Sequence, residues 1–359
     1  MSAPDPVPTG GTLGILGGGQ LGRMLALAAA RLGIDVHVYC PEADCPASRV
    51  AAGFTCAAYD DEAALDAFAA AVDAVTTEFE NVPAATCRRL AARVPVHPGA
   101  DALQIAQDRA AEKAFLNEHG IATAPWRAVE GEIDTALAAI GTPAILKTRR
   151  LGYDGKGQVR IADPSGAAPA LAAMQGAPAI LEGLVDFERE ISVIVARTRD
   201  GTAACYEPGE NRHEDGILRE TRVPAAIGAE TRGAALAIAE KIAAALDYVG
   251  VLGVEMFVTP TGLLVNEIAP RVHNTGHWTL EGCAIDQFEQ QVRAVCGWPL
   301  GDPARHADAV MTNLLGDEAA DWRALASSGG ALHLYGKAEA REGRKMGHLT
   351  RLSARTPPS

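Results

Sequence analysis

Aromatic residues are scarce in this chain: 5% of 359 residues, against a hydrophobic share of 48%. Alanine-rich helices therefore have to supply much of the apolar content. Blocks of lysine or arginine are missing too, and the net charge is −13. That balance removes the electrostatic footprint of a nucleic-acid binder. An anionic ligand must then be met by basic residues placed one at a time. The seven cysteines are scattered, with no CxxC pair and no metal-ligand spacing, and read as buried thiols in a reducing cytoplasm. No apolar run is long enough to span a bilayer, so no membrane role is expected. The opening MSAPDPVPTGG lacks the basic and apolar segments of a secretory signal. There is no clear internal repeat and no GxxxxGK[ST] phosphate loop.

What is present allows two or three domains. The most informative stretch is 251–278, VLGVEMFVTPTGLLVNEIAPRVHNTGHW. Apolar runs at 254–258 and 263–268 flank Thr259-Pro260-Thr261-Gly262, which is turn chemistry, and predict a β-hairpin. Glu255 and Glu267 interrupt the runs at equal distance from the turn. With a three-residue loop they face each other on one side of the hairpin. Two carboxylates that close repel unless a cation sits between them. Asn266 and Asn274 add neutral oxygens, and all-oxygen ligation suits Mg²⁺, or Mn²⁺, sharing phosphate oxygens with a nucleotide. The other reading is two glutamates on a solvated strand face. Arg271-Val272-His273-Asn274 weighs against it, because a basic pair beside a metal suits an anionic substrate.

The rest of the chain divides around this hairpin. Residues 1–11 are rich in Pro and Gly and are expected to be disordered. A strand at 12–16, the loop Gly17-Gly18-Gly19-Gln20-Leu21-Gly22, a helix at 23–32 and a strand at 35–40 make a βαβ unit. Gly17, Gly19 and Gly22 match the dinucleotide pattern, and Glu42 lies near the ribose-binding position. A phosphate loop of another kind, or a tight turn without a ligand, fits equally. A helix at 61–71 and a strand at 74–77 lead to Glu78-Phe79-Glu80-Asn81-Val82-Pro83. Glu78 and Asn81 lie just past a parallel strand's C-terminal end, in the crevice where doubly wound sheets bind ligands. Alternatively, this segment only caps the next helix. A strand at 94–97 completes the first domain, which closes near residue 105.

A helix at 104–118 carries Arg109. A strand at 143–147 ends in Lys147, which is costly there unless it meets an anion. The loop Gly152-Tyr153-Asp154-Gly155-Lys156-Gly157-Gln158 suits a mobile lid over phosphates, or else a plain hairpin tip. Residues 179–185 form a strand and connector whose backbone can read an adenine. Glu190, in the next strand, can take ribose hydroxyls or serve as an edge charge. Residues 210–216 read as a polar surface loop, 232–246 and 286–296 as helices. Arg344-Lys345, set between glycines, is a phosphate clamp or a charged turn.

Lys147, the glycine lid, Glu182 to Val185, Glu190, Glu255 and Asn266-Glu267 occur in the order found in ATP-grasp ligases. The segments GGGQLGRM, TAPW, GYDGKGQ, HEDGIL, NEIAPRVHNTGHW and GRKMGHL resemble the N5-carboxyaminoimidazole ribonucleotide synthases. The resemblance covers about residues 12–350. It implies an α/β ATP-grasp fold: an N-terminal doubly wound parallel-sheet domain at 12–105, a small central ATP-grasp lid domain at 106–184, and a C-terminal α+β domain at 185–359. It also implies a homodimer and an ATP-dependent carboxylation of aminoimidazole ribonucleotide by bicarbonate.

By that resemblance Arg109 and Lys147 contact ATP phosphates beneath the loop from Gly152 to Gln158. Glu182, Gly183, Leu184 and Val185 hold adenine, Glu190 holds ribose, and His213 lies near the nucleotide. Asn266 and Glu267 contact nucleotide and metal, and Glu255 with Glu267 holds Mg²⁺. Around the ribonucleotide and bicarbonate stand Gln20, Leu21, Glu78, Asn81, Tyr153, Asp154, Arg271, His273, Asn274, Arg344 and Lys345. Arg271, Lys147, His273 and Asn274 form the implied catalytic set. Three rivals follow. A formate-dependent glycinamide ribonucleotide transformylase shares the ATP residues, but Tyr153-Asp154 and the HNTGHW loop favour the carboxylase. A nicotinamide-dependent dehydrogenase leaves Lys147 and the Glu255/Glu267 pair unexplained. A non-catalytic nucleotide-binding regulator does not need those three residues intact.

Overall fold

The computed structural model describes residues 5–152 and 155–357. Among them the strands form three sheets. The first is parallel, in the order β3-β2-β1-β4, from β1 (Thr12–Leu16), β2 (Asp35–Cys40), β3 (Gly53–Cys56) and β4 (Ala74–Thr77). The expected strand at 94–97 is reduced to a single parallel bridge, Val75 to Val96. The second sheet is antiparallel, in the order β5-β8-β6-β7, from β5 (Trp126–Val129), β6 (Ala144–Thr148), β7 (Gln158–Ile161) and β8 (Ala179–Gly183). The third is also antiparallel and holds β9 (Arg189–Arg197), β10 (Ala203–Cys205), β11 (Gly209–Glu214), β12 (Ile217–Val223), β13 (Gly250–Thr259), β14 (Gly262–Ala269), β15 (Asp308–Leu315), β16 (Ala331–Leu334) and β17 (Lys345–Ser353). Its order is β14-β13-β9-β11-β12-β15-β17-β16, with β10 beside β9. This is the ATP-grasp fold behind an N-terminal parallel-sheet domain.

One apolar core joins the first sheet to the third. Leu13, Ile15 and Val38 pack in the same cluster as Ile194, Val251, Trp278 and Phe288. Polar bonds cross the same seam. Gln291 donates to Thr76 Oγ1 at 2.7 Å and accepts from the Val251 amide. Removing such apolar surface from water is worth roughly 25 cal/mol per Å², which holds the first sheet against the third. Among the described residues no helix is long and apolar enough to cross a membrane.

Several expectations need correction. The N-terminal segment is not disordered from residue 5 onward: Val7 is buried, its amide donates to the Cys296 carbonyl at 2.9 Å, and its carbonyl accepts from Trp298 Nε1 at 2.7 Å. The helix expected at 104–118 is two helices, Ala100–Ala106 and Arg109–Glu118. Asp108 stops the first and caps the second, accepting from the Ala110 amide at 3.0 Å. Residues 210–216 are not a loop. They form most of β11 and its turn, because charged side chains on alternate positions still leave the backbone free to pair. The stretch 159–178, featureless as sequence, holds the end of β7 and the helix Ala167–Ala173.

Candidate active site

The β13–β14 hairpin brings Glu255 and Glu267 directly opposite one another, by a different route from the one expected. Thr259 pairs with Gly262, so the loop has two residues, Pro260 and Thr261, and not three. On that register alone Glu255 would face Asn266. A bulge corrects it: Met256 pairs with Val265 and Glu255 with Glu267, leaving Asn266 as the extra residue. The bulged carbonyl of Asn266 accepts from the buried Lys113 Nζ at 3.2 Å.

The two carboxylates are electrostatically unequal. Burial raises the Glu267 pKa, but Arg109, whose Nη1 lies 2.9 Å from Oε2, outweighs it and holds the group at about 2. Burial and then the Glu267 charge push Glu255 up to about 7. Burial and Glu267 likewise push Glu112 up to about 8. Repulsion strong enough to keep a proton on one member of a facing pair is what a divalent cation relieves, so the donor set fits Mg²⁺.

Around this pair lie several of the sequence candidates. Lys147, next to last in β6, donates to Glu182 Oε2 at 2.9 Å, with Lys113 Nζ 3.4 Å from Oε1. The Glu182 side chain is thus a buried anchor for two lysines, and of Gly183, Leu184 and Val185 beyond it, Leu184 is exposed. His213 Nδ1 lies 2.5 Å from Glu190 Oε2. Burial lowers the His213 pKa, but Glu190 and Glu255 together raise it on balance. Lys345 enters from β17, and its charge reaches Glu255, His213 and His273. Gly152, Gly155, Lys156, Gly157 and Gln158 belong to the β6–β7 tip. Gly157 (φ +72°) sits where a Cβ would meet Thr148 Oγ1 at 2.6 Å, and one on Gly155 would meet the Asp215 carbonyl at 2.9 Å. The tip therefore rests on the β11–β12 turn. Tyr153 and Asp154 lie outside the described residues.

A second group meets this one from the first sheet. Glu78 follows β4 and turns its carboxylate into the glycine loop, accepting from the Gly19 amide at 2.8 Å and the Gly22 amide at 3.0 Å. The loop that resembled a dinucleotide site is filled by the protein's own carboxylate, where a pyrophosphate would have to lie. This removes the observation on which the dehydrogenase reading rested. Gln20 opens the helix Gln20–Arg31, and the Leu21 side chain is packed into the core, leaving only its backbone for a ligand. Glu80 pairs with Arg271. Gln107 holds their surroundings by donating to the Glu80 and Val82 carbonyls, both at 2.7 Å. A crevice of about 60 Å³ runs between Asn81, Glu80, Arg109, Glu267 and Arg271.

The basic pair expected at 271–273 is only half basic. Burial, then the neighbouring Arg271, push His273 down to about 3, so its imidazole is neutral. It contacts Thr275 Oγ1 at 2.8 Å and lies 3.5 Å from Glu255 Oε1. Asn274 exchanges amide hydrogen bonds with Asn313, at 3.0 and 2.7 Å, rather than presenting a free amide. Arg344 donates to the Glu339 carbonyl at 2.9 Å, in the loop before β17. Sequence reasoning assigned no role to Lys113, Glu112, Gln107 or Asn313. The first had a signal: Arg109 and Lys113 stand four apart and share a helix face.

Comparison with known proteins identifies the family. Residues 11–107 match the ribonucleotide synthetase preATP-grasp domain, 114–288 the ATP-grasp domain, and 309–356 the phosphoribosylaminoimidazole carboxylase C-terminal domain. The N5-carboxyaminoimidazole ribonucleotide synthase of Brucella melitensis is 57% identical over 353 residues, covering 97% of this chain and 98% of that protein. A crystal structure of an N5-carboxyaminoimidazole ribonucleotide synthetase with ADP superposes with a TM-score of 0.93 at 39% identity, covering 97% of this chain and 94% of the other. The Aspergillus clavatus enzyme, in complex with ADP and 5-aminoimidazole ribonucleotide, gives 0.90 at 32% identity, covering 96% and 94%. The chain belongs to the N5-carboxyaminoimidazole ribonucleotide synthase family of ATP-grasp enzymes.

Proposed function

We propose that this chain carboxylates 5-aminoimidazole ribonucleotide with bicarbonate at the expense of ATP, giving N5-carboxyaminoimidazole ribonucleotide, ADP and phosphate, in de novo purine synthesis. One observation carries the reading. Of the facing Glu255/Glu267 pair, Glu267 has Arg109 beside it and borders a crevice that ends on Arg271 and Asn81. A nucleotide's terminal phosphate and a small anion can meet there. The chain divides for this task into 12–105, 106–184 and 185–359.

Glu255 and Glu267 would hold Mg²⁺, which would supply charge neutralisation and Lewis-acid polarisation for phosphoryl transfer. Lys147 and Arg109 are steered by Glu182 and Glu267 and keep further N–H groups for phosphate oxygens. A bicarbonate oxygen attacks the γ-phosphorus and ADP leaves, giving carboxyphosphate. Arg271, held by Glu80, supplies the local positive charge for that anion. The exocyclic amine then attacks the carboxyl carbon, phosphate leaves, and the amine proton departs with it. His273, being neutral, contributes hydrogen bonds and not charge. Glu78, Asn81 and Lys345 bound the ribonucleotide, and the tip Gly152–Gln158 excludes water from a short-lived intermediate. A homodimer and a reducing cytoplasm complete the reading, the latter supported by seven free thiols.

The test is ADP release with ATP and Mg²⁺, adding bicarbonate and the ribonucleotide separately and together. Release that requires the ribonucleotide, with bicarbonate carbon in an unstable carbamate, is the expected result. Release stimulated instead by glycinamide ribonucleotide and formate would transfer the chain to the sister transformylase reaction.

A further inference from the structure

On the far side of the Arg271–His277 loop, three side chains from three elements converge. Glu281 comes from the helix Thr279–Gly282, His333 from β16 and His348 from β17. His333 and His348 are register partners across that antiparallel pair, with rings stacked at 4.6 Å and 9°. His333 Nε2 lies 2.7 Å from Glu281 Oε1. One ligand atom from each of the three residues lies within 4.8 Å of the others.

Two buried atoms in this cluster have no hydrogen-bond partner among the described residues: His348 Nε2 and Glu281 Oε2. His348 is fully buried, and its other nitrogen is taken by Tyr335 Oη at 2.8 Å. A buried polar atom left unmet in this way is unfavourable, so a site of this kind calls for a partner. With Nδ1–H donating to Tyr335, His348 presents a bare Nε2 lone pair, the arrangement by which an outer partner fixes a metal-ligating tautomer.

We propose that Glu281, His333 and His348 form a cation site for a zinc-class divalent ion, separate from the Glu255/Glu267 pair. Two imidazoles and one carboxylate make the N₂O donor set of open zinc sites, completed by water, and suit Mg²⁺ poorly. Bonds of about 2.0 Å set tetrahedral ligand edges at roughly 3.3 Å. The Glu281–His333 hydrogen bond therefore opens and the half-exposed His333 ring turns out of its stack on His348, so that its in-plane Nε2 lone pair reaches the ion and its proton moves to Nδ1. The bound ion ties the helix behind the Arg271–His277 loop to β16 and to β17, the strand that begins at Lys345.

The test uses the full chain, stripped by chelator and held in excess Mg²⁺ and ADP, titrated with Co²⁺ and then Zn²⁺. The expected result is one equivalent of Co²⁺ with tetrahedral visible absorption, displaced by Zn²⁺. His333→Asn and Glu281→Gln, chosen because both residues sit at the rim of the cluster, weaken binding by on the order of 100-fold while circular dichroism is unchanged. The double variant Glu255→Gln/Glu267→Gln keeps the Co²⁺ spectrum and affinity. Absence of the spectrum in the parent protein overturns the proposal. So does equal affinity in His333→Asn and Glu281→Gln, or loss of the ion in the Glu255/Glu267 variant.

Discussion

Mg²⁺ affinity at Glu255 and Glu267 is expected to fall about tenfold between pH 8 and pH 6. Glu267 is ionised throughout this range, held at about 2 by Arg109 against its own burial. Glu255 is held at about 7 by burial and by the Glu267 charge. A cation that binds both must displace the Glu255 proton, so apparent affinity scales with the ionised fraction. With a pKa near 7 that fraction is about one in eleven at pH 6 and ten in eleven at pH 8, a ratio of about ten, or about 1.4 kcal/mol. Binding near pH 7 then releases about half a proton. Calorimetry of Mg²⁺ or Mn²⁺ binding in buffers of different ionisation enthalpy reads both quantities. Glu112, held at about 8, also feels Glu267, so the titration is repeated in Glu112→Gln to isolate Glu255. Equal affinity at pH 6 and pH 8, with no proton release in either protein, refutes the argument that the facing carboxylates compete for a proton.

Other perturbations follow from the same geometry. Glu267→Gln leaves the fold intact and nearly abolishes turnover; ADP release close to that of the parent protein would sink the metal assignment. Lys345→Ala raises the KM for the ribonucleotide more than that for ATP, and steady-state kinetics with each substrate varied decides it. Glu78→Ala strips the Gly19 and Gly22 amides of their acceptor inside the molecule, costing roughly 1–3 kcal/mol for each amide left unmet, and thermal unfolding measures the loss. His273 titrates near 3 in the folded protein against about 6.5 unfolded, because burial and Arg271 disfavour its proton. The unfolded chain therefore binds the extra proton between those values, and stability drops as pH falls from about 6.5 towards 3. His273→Asn removes about 2 kcal/mol of the loss seen in denaturant titrations between pH 6.5 and 4.5; identical losses in both proteins would contradict the neutral imidazole.

By itself the sequence determined what depends on neighbours along the chain. Turn residues between two apolar runs announced the β13–β14 hairpin, the glycines after 12–16 announced a strand-to-helix loop, and a lysine ending an apolar run announced Lys147. Motif order named the family, and with it the fold. Only the tertiary structure decided what depends on contacts between distant segments. Counting residues across the turn put Glu255 opposite Glu267 for a reason that does not hold: the loop is shorter, and the bulge at Asn266, whose carbonyl meets Lys113, restores the pairing. The glycine loop looked open in sequence, yet Glu78 arrives from 56 residues or more away to fill it. His273 looked basic until burial beside Arg271 made it neutral. Local patterns constrain backbone dihedrals and the face a side chain occupies, whereas charge state, register defects and the occupant of a loop are set by whatever the fold packs against them.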